Sequence, residues 1–291
     1  MPAPFALQLC GFRDGKANTS DASDAFSVEL GQALFDAMGV KPDTPAPRNV
    51  DKEMSRLLAG DLMAQLPDTD PETGLIVLPE KALNEFAQFQ HVGMIRNLKP
   101  APSRAVLHAI GRLRRFVENR IQSPARDVAK RIELFDELDR ALDAEADERG
   151  RIIEALGEES LLKLDVAGSR KQGGGLPHLE LGLSLKWSLR TDRAQDCRSQ
   201  GAKMAALRRG RMPHFAAVTM EPRPYMLRIL GGGSGEVDCV YHLNLPALTE
   251  AVRATTEGRP RRRETAETFR KLVEQRRVRD YDELVTYART L

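Results

Sequence analysis

Two short segments hold the residues best suited to chemistry. Asp165 lies within the apolar run Leu161-Leu162-Lys163-Leu164-Asp165-Val166-Ala167, bounded by Gly168, and Ser184-Leu185-Lys186 sits in a second run where apolar and polar residues alternate. Both runs read as strands. A carboxylate at a strand end can hold a hard divalent cation, and a lysine one strand over can orient and activate a water. That combination suits phosphodiester hydrolysis without a covalent intermediate. Taken bare, an aspartate followed some 20 residues on by a lysine is common, and the same pair also suits a surface carboxylate and a lysine whose stem lies along apolar surface.

Other constellations carry less. Gly231-Gly232-Gly233 and Gly235 lack a following Gly-Lys-Ser/Thr and precede a strand-like segment, so they read as a connection and not a phosphate loop. Cys239 and His242 have no second pair at zinc spacing. The histidines His91, His108, His178, His214 and His242 are scattered, and nothing near them resembles a nucleophile elbow.

Charge is balanced overall, 44 basic against 42 acidic side chains, but not locally. Residues 133–159 hold eleven acidic and three basic residues; residues 186–211 hold eight basic residues against Asp192 and Asp196; residues 259–280 hold nine basic and four acidic. Arginine dominates the middle block, beside a strand. Its planar fork pairs with phosphate or with guanine O6/N7, so a protein that grips nucleic acid locally is expected.

These segments need a scaffold. The 291 residues are 41% hydrophobic and 30% charged, with a mean hydropathy of −0.41, which argues against a membrane protein and against wholesale disorder. Three widely separated cysteines, Cys10, Cys197 and Cys239, fit no disulfide framework, and a cytoplasmic location without membrane association is expected. Asp24 or Ser23 can cap a helix over 25–38, and helices are predicted over 50–66, 80–98, 103–121, 125–146 and 151–156, with a polar turn at 67–74. Strands are expected over 161–167, 178–189, 215–220, 226–230 and 237–241, with helices over 193–208, 246–253 and 262–277. This is an α/β chain with a central mixed sheet flanked by helices.

Beyond Lys186 the sequence becomes specific. LSLKWSLRTDRAQDCRSQG (Leu183 to Gly201), RRGRMPHFAAVTMEP (Arg208 to Pro222) and GSGEVDCVYH (Gly233 to His242) resemble the type II restriction endonucleases that read CCGG-containing sites. The similarity runs from about Ala155 to Ala247, with a shorter connection after Asp165, and is weaker over residues 1–66.

The resemblance implies a restriction-endonuclease-like PD-(D/E)xK fold, a Mg2+ cofactor, and a homodimer or dimer of dimers engaging palindromic double-stranded DNA. It places Asp165 at the family's metal-binding aspartate, after the matching Ala155-Leu156-Gly157. Ser184-Leu185-Lys186 matches the S-x-K strand, making Lys186 the catalytic lysine and the Leu185 main-chain carbonyl a metal ligand. Arg190, Asp192 and Arg193 match the R-x-D-R recognition element; arginine can donate two bonds to guanine and aspartate can accept from cytosine N4. Asp21-Ala22-Ser23 resembles the D-x-S contact to the flanking base pair, offset by two residues. There are departures. Leu164 replaces a proline, Gln200 stands where the family has an acidic residue fourteen positions beyond the lysine, and Asp51 aligns with a glutamate of the early helix; the resemblance implies that Asp51 and Gln200 complete the catalytic site with Asp165, Ser184 and Lys186, though weakly. An amide brings no charge to a divalent cation. The expected organisation is a single nuclease domain over 1–291, with a mainly helical part (1–156) carrying the N-terminal DNA-contacting segment, a catalytic sheet core (157–255) and C-terminal helices (256–291).

Overall fold

The computed structural model describes residues 2–66, 74–92, 102, 104–120, 125–155, 162–171, 173–233 and 235–291. Most of the turn expected at 67–74, the Leu156-Gly157 part of the motif before Asp165, and the end of the helix expected at 80–98 lie outside them. By contacts the chain divides into two units, Met1–Gln90 with Leu162–Leu291, and His91–Leu161.

In the first unit the chain opens with a short helix, α1 (Ala6–Leu9), and a two-strand ribbon, β1 (Phe12–Arg13) and β2 (Lys16–Ala17). Asp14 and Gly15 join the ribbon with φ of 51° and 72°, the left-handed pair that a two-residue hairpin requires. Helix α2 (Ala25–Met38) starts where Asp24 accepts hydrogen bonds from the Phe26 and Ser27 amides, and ends at Gly39 in the left-handed region. Its apolar face (Leu30, Leu34, Phe35) is buried. Helix α3 (Val50–Gln65) follows, burying Met54, Leu58 and Leu62.

The sheet begins earlier than the sequence pattern suggests. Residues 76–82 form a strand, β3 (Ile76–Ala82), where a helix from residue 80 was expected, and two 3₁₀ turns (Leu83–Glu85, Ala87–Phe89) follow. The apolar run Leu75-Ile76-Val77-Leu78 favours extended backbone, and Pro79 is tolerated because β3 is an edge strand. Next come β4 (Lys163–Arg170), β5 (His178–Lys186), β6 (His214–Thr219), β7 (Val240–His242) and β8 (Val278–Asp280), in spatial order β3-β4-β5-β6-β7-β8. The β3–β4 and β4–β5 pairs are antiparallel; β5 to β8 run parallel. This is the restriction-endonuclease-like mixed sheet flanked by helices.

Parallel neighbours need crossover connections, and helices supply them. In this unit α6 (Thr191–Leu207) links β5 to β6, and α7 (Pro224–Gly231) lies between β6 and β7. Helices α8 (Leu245–Thr256) and α9 (Arg263–Glu274) lead to β8, and α10 (Tyr281–Thr290) ends the chain. Residues 226–230, expected as a strand, are helical. Pro224 occupies the first helical turn, and the buried Met226, Leu227 and Leu230 share one helix face. The helix expected to reach Arg277 stops at Glu274, giving way to β8.

The second unit contains α4 (Arg104–Arg120) and α5 (Ala125–Ala155), the latter one continuous helix where two were expected. They are antiparallel: Arg114 pairs with Asp139 at 3.1 Å and covers the Phe135 ring, while Arg131 donates to the Val117 carbonyl at 3.1 Å. Among the described residues no helix is long and apolar enough to cross a membrane.

His242, on β7, is fully buried, and its Nδ1 accepts the Asn244 amide at 3.1 Å. Burial pushes its pKa down from 6.5 to about 4. The unfolded chain takes up a proton near 6.5 and the folded chain does not, so this contribution to stability is complete above about pH 6.5 and is lost as the pH falls towards about 4. The loss should total roughly 3 kcal/mol. Urea titrations between pH 7 and 4 should show this decline, and His242→Phe should flatten it; an unchanged slope in the variant would contradict the neutral buried imidazole.

Candidate active site

Strands β4 and β5 bring the two motif segments together. Antiparallel register pairs Val166 with Leu183, so the next residues outward, Asp165 and Ser184, lie at the mouth of the pair. The Leu185 amide donates to Asp165 Oδ2 at 2.6 Å, and Lys186 Nζ stands 3.7 Å from the same oxygen. Leu185 points into the core, whereas Ser184 and Lys186, two residues apart, share the opposite face. Ser184 is buried beside Cys197 of α6. Lys186 emerges at the carboxyl end of β5, where open sheets of this kind place their ligands.

A cleft of about 390 Å³ opens there, bordered by Asp51, Glu80, Asp165, Lys186, Arg193 and Asp196. A neighbouring hollow of about 320 Å³ is shared by Asp165, Lys186, Asp196, Gln200 and Lys203. Asp51, in the first turn of α3, lies 3.5 Å from Arg193 Nη1. Gln200 does reach this region, but its amide donates to the Lys163 carbonyl at 2.6 Å. Arg190 and Asp192 are exposed where α6 begins, Arg190 at the N-cap position and Asp192 in the first turn. Arg193 also borders a third hollow of about 720 Å³ together with Ala22, Asn18 and Trp187, so the N-terminal segment and the start of α6 face one groove. In that segment Asp21 Oδ1 accepts the Ser23 amide at 3.1 Å and the Ser23 hydroxyl at 2.7 Å, while Oδ2 accepts from Arg223 at 3.1 Å. Those bonds, Ser23's first, hold the Asp21 carboxyl below the usual carboxylate range.

Residues 147–286 match the family model of the NgoMIV restriction enzyme. Over 88 residues the chain is 41% identical to the type II restriction enzyme NgoMIV of Neisseria gonorrhoeae, a match covering 30% of this chain and 31% of that enzyme. The chain is similar to NgoMIV-type restriction endonucleases.

Two carboxylates in the cleft escape sequence reasoning. Asp196 is ten residues beyond Lys186 and one helical turn before Gln200, so the two share a face of α6. The spacing of Asp196 from Lys186 is legible in the chain, but the resemblance puts the family's acidic residue at position 200 instead. Glu80 gives no such signal, because its place depends on the β3–β4 pairing: Pro79 pairs with Val166 and Lys81 with Leu164, which sets Glu80 opposite Asp165. Its φ of 51° is a conformation few side chains other than Asn and Asp adopt.

A hard divalent cation fits the donors present. Asp165, Asp196 and Glu80 offer carboxylate oxygens. An extended residue directs its N–H and C=O to the same neighbour, so the Leu185 carbonyl is turned towards the Asp165 side of β5. Among the described residues no three His, Cys, Asp or Glu side chains gather closely enough to hold a metal alone. A cation there would therefore draw on main-chain oxygen and water, as small hard cations commonly do.

Helix α6 can hold these residues over the sheet only because of Gly201. A Cβ at this position would lie 1.9 Å from the Glu236 carbonyl oxygen and 2.8 Å from its carbon. In an open helix, alanine would gain about 1 kcal/mol over glycine, but here the overpacking should cost about 1–3 kcal/mol or more. Gly201→Ala should thus unfold at lower urea than the parent. A midpoint equal to or above the parent's would contradict the close contact.

Proposed function

We propose that the chain is a type II restriction endonuclease that hydrolyses both strands of double-stranded DNA at a CCGG-containing palindrome, leaving 5′ overhangs, with Mg2+ as cofactor. The observation that carries this reading is the meeting of Asp165 and Lys186 across β4 and β5, in a cleft bordered by Arg193 of the R-x-D-R element. A palindromic site calls for two-fold related copies, so the protein acts as a homodimer or a dimer of dimers.

Asp165 and the Leu185 carbonyl would hold the Mg2+, with Asp196 supplying nearby the negative charge that Gln200 lacks. Bound there, the cation would polarise the scissile phosphate and lower the pKa of a water. Lys186, on the same face as Ser184 and close to Asp165, orients that water. Ser184 packs beneath and fixes the strand, and Asp51 steadies Arg193. For readout, Arg190 and Arg193 donate to guanine and Asp192 accepts from cytosine N4, while Asp21 and Ser23 meet the flanking base pair. The second reading is a CCGG-specific DNA-binding protein of impaired catalysis. It is favoured by one observation, the Gln200 amide spent on the Lys163 carbonyl.

Digestion of a plasmid rich in CCGG sites, with Mg2+ or Mn2+, decides between them. The parent should cut, and Asp165→Ala should lose at least about a hundredfold in rate, roughly 2.7 kcal/mol on the barrier, while still binding the duplex. Binding without cutting by the parent supports the second reading; brisk cutting by Asp165→Ala rejects the first.

Readout is tested separately. Arg190→Ala should lose about 1–3 kcal/mol of affinity for a CCGG duplex and relax discrimination at one base pair, whereas Lys203→Ala should weaken binding to cognate and shuffled duplexes alike. An Arg190→Ala protein that separates the two duplexes as well as the parent does would remove Arg190 from the recognition element.

A further inference from the structure

A buried ion pair beside the cleft takes no part in the chemistry above. Glu221 is 0% exposed and Arg223 2%, in the Met220-Glu221-Pro222-Arg223-Pro224 connection between β6 and α7. Arg223 Nε donates to Glu221 Oε1 at 2.6 Å and Nη2 to Oε2 at 3.2 Å, and the Arg223 amide adds a third bond at 3.0 Å. Such a pair is poor value as a source of stability, because desolvating two charges offsets most of their attraction and an apolar pair often serves as well.

Besides a bond from Arg223 Nη1 to the Tyr225 hydroxyl at 3.1 Å, the pair reaches two separate segments. Glu221 Oε2 accepts the Leu189 amide at 2.6 Å, and Arg223 Nη2 donates to the Leu189 carbonyl at 2.6 Å. Both polar groups of that one backbone residue, the residue immediately before Arg190, are therefore held by the pair. On the other side Arg223 Nη1 donates to Asp21 Oδ2 at 3.1 Å and lies 4.0 Å from Asp24 Oδ2. Asp21 carries Ser23 on its other oxygen. The planar guanidinium fork fixes direction as well as distance, which a lysine could not do.

We infer that Glu221 and Arg223 are positioning residues for sequence readout: the pair sets the spacing between the Arg190–Arg193 element and the Asp21–Ser23 turn, so that both engage one DNA site together. This rests on the DNA-reading role proposed above. Because the pair touches backbone at one end and an aspartate at the other, its loss should blur discrimination and leave phosphate-driven binding untouched.

The test uses the full chain with Ca2+ in place of Mg2+. Affinities are measured for a duplex bearing a CCGG core and for the same duplex shuffled. The double variant Glu221→Leu/Arg223→Met removes both charges together, and Arg223→Lys keeps the charge but not the fork; urea unfolding checks that each folds. Both variants should bind the shuffled duplex within about twofold of the parent. The double variant should lose at least about tenfold in discrimination between the duplexes, and Arg223→Lys should fall between it and the parent. Should the double variant fail to fold, Arg223→Lys decides alone. A folded variant with full discrimination, beside an Arg190→Ala control that has lost it, overturns the positioning role and leaves the readout intact. A parent that does not separate the two duplexes overturns both.

Discussion

The hydrogen bond from the Leu185 amide to Asp165 Oδ2 is the constraint on which the rest of the site depends. It can form only if β4 and β5 pair antiparallel in the register that matches Val166 with Leu183. A slip of one residue would turn Asp165 to the other face of the sheet and part it from Lys186. The bond also orients the carboxylate, because the oxygen that accepts the amide is the one that faces the lysine ammonium at 3.7 Å. Register is fixed by the apolar face of β5, where Leu181, Leu183 and Leu185, two residues apart, all lie in the core.

Helix α6 adds the second layer. It follows β5 after only a few residues, so its first turn must stand over the carboxyl end of the strand. There it presents Arg190, Asp192 and Arg193 to solvent and Asp196 to the cleft. Its close approach to the β6–β7 connection rests on a missing side chain at Gly201 and on Arg198, which donates to Glu236 at 3.0 Å. The cleft and the Arg190–Arg193 segment thus share one helix, which makes the geometry of one depend on that of the other.

The N-terminal segment joins this frame from far away in sequence. Thr19 donates to the Met220 carbonyl at 2.6 Å, the Trp187 indole donates to Asn18 at 3.1 Å, and Arg223 holds Asp21. Each bond ends on the loops that leave β5 and β6, so the exposed Asp21–Ser23 turn inherits the rigidity of the sheet. Exposed side chains that must be directed at a partner are best carried by backbone that cannot move.

What the sequence by itself determined is local. Asp24 and Gly39 delimit α2, alternation marks β5, and the S-x-K and R-x-D-R segments stand next to each other in the chain, so their proximity needs no fold to predict it. Residues 226–230 are ambiguous in the sequence because a short apolar run has no clear period, and only the proline at the start of α7 marks a helix. Tertiary structure decided everything that joins distant segments. β3 and β8 are sheet edges whose partners are remote in sequence, and strand pairing leaves little mark in local composition. For the same reason Glu80 opposite Asp165 and Glu221–Arg223 clasping Leu189 and Asp21 could not be read from the chain. Each is a long-range contact between side chains whose types are ordinary, and it is the burial and hydrogen bonding of the folded state that give them their places.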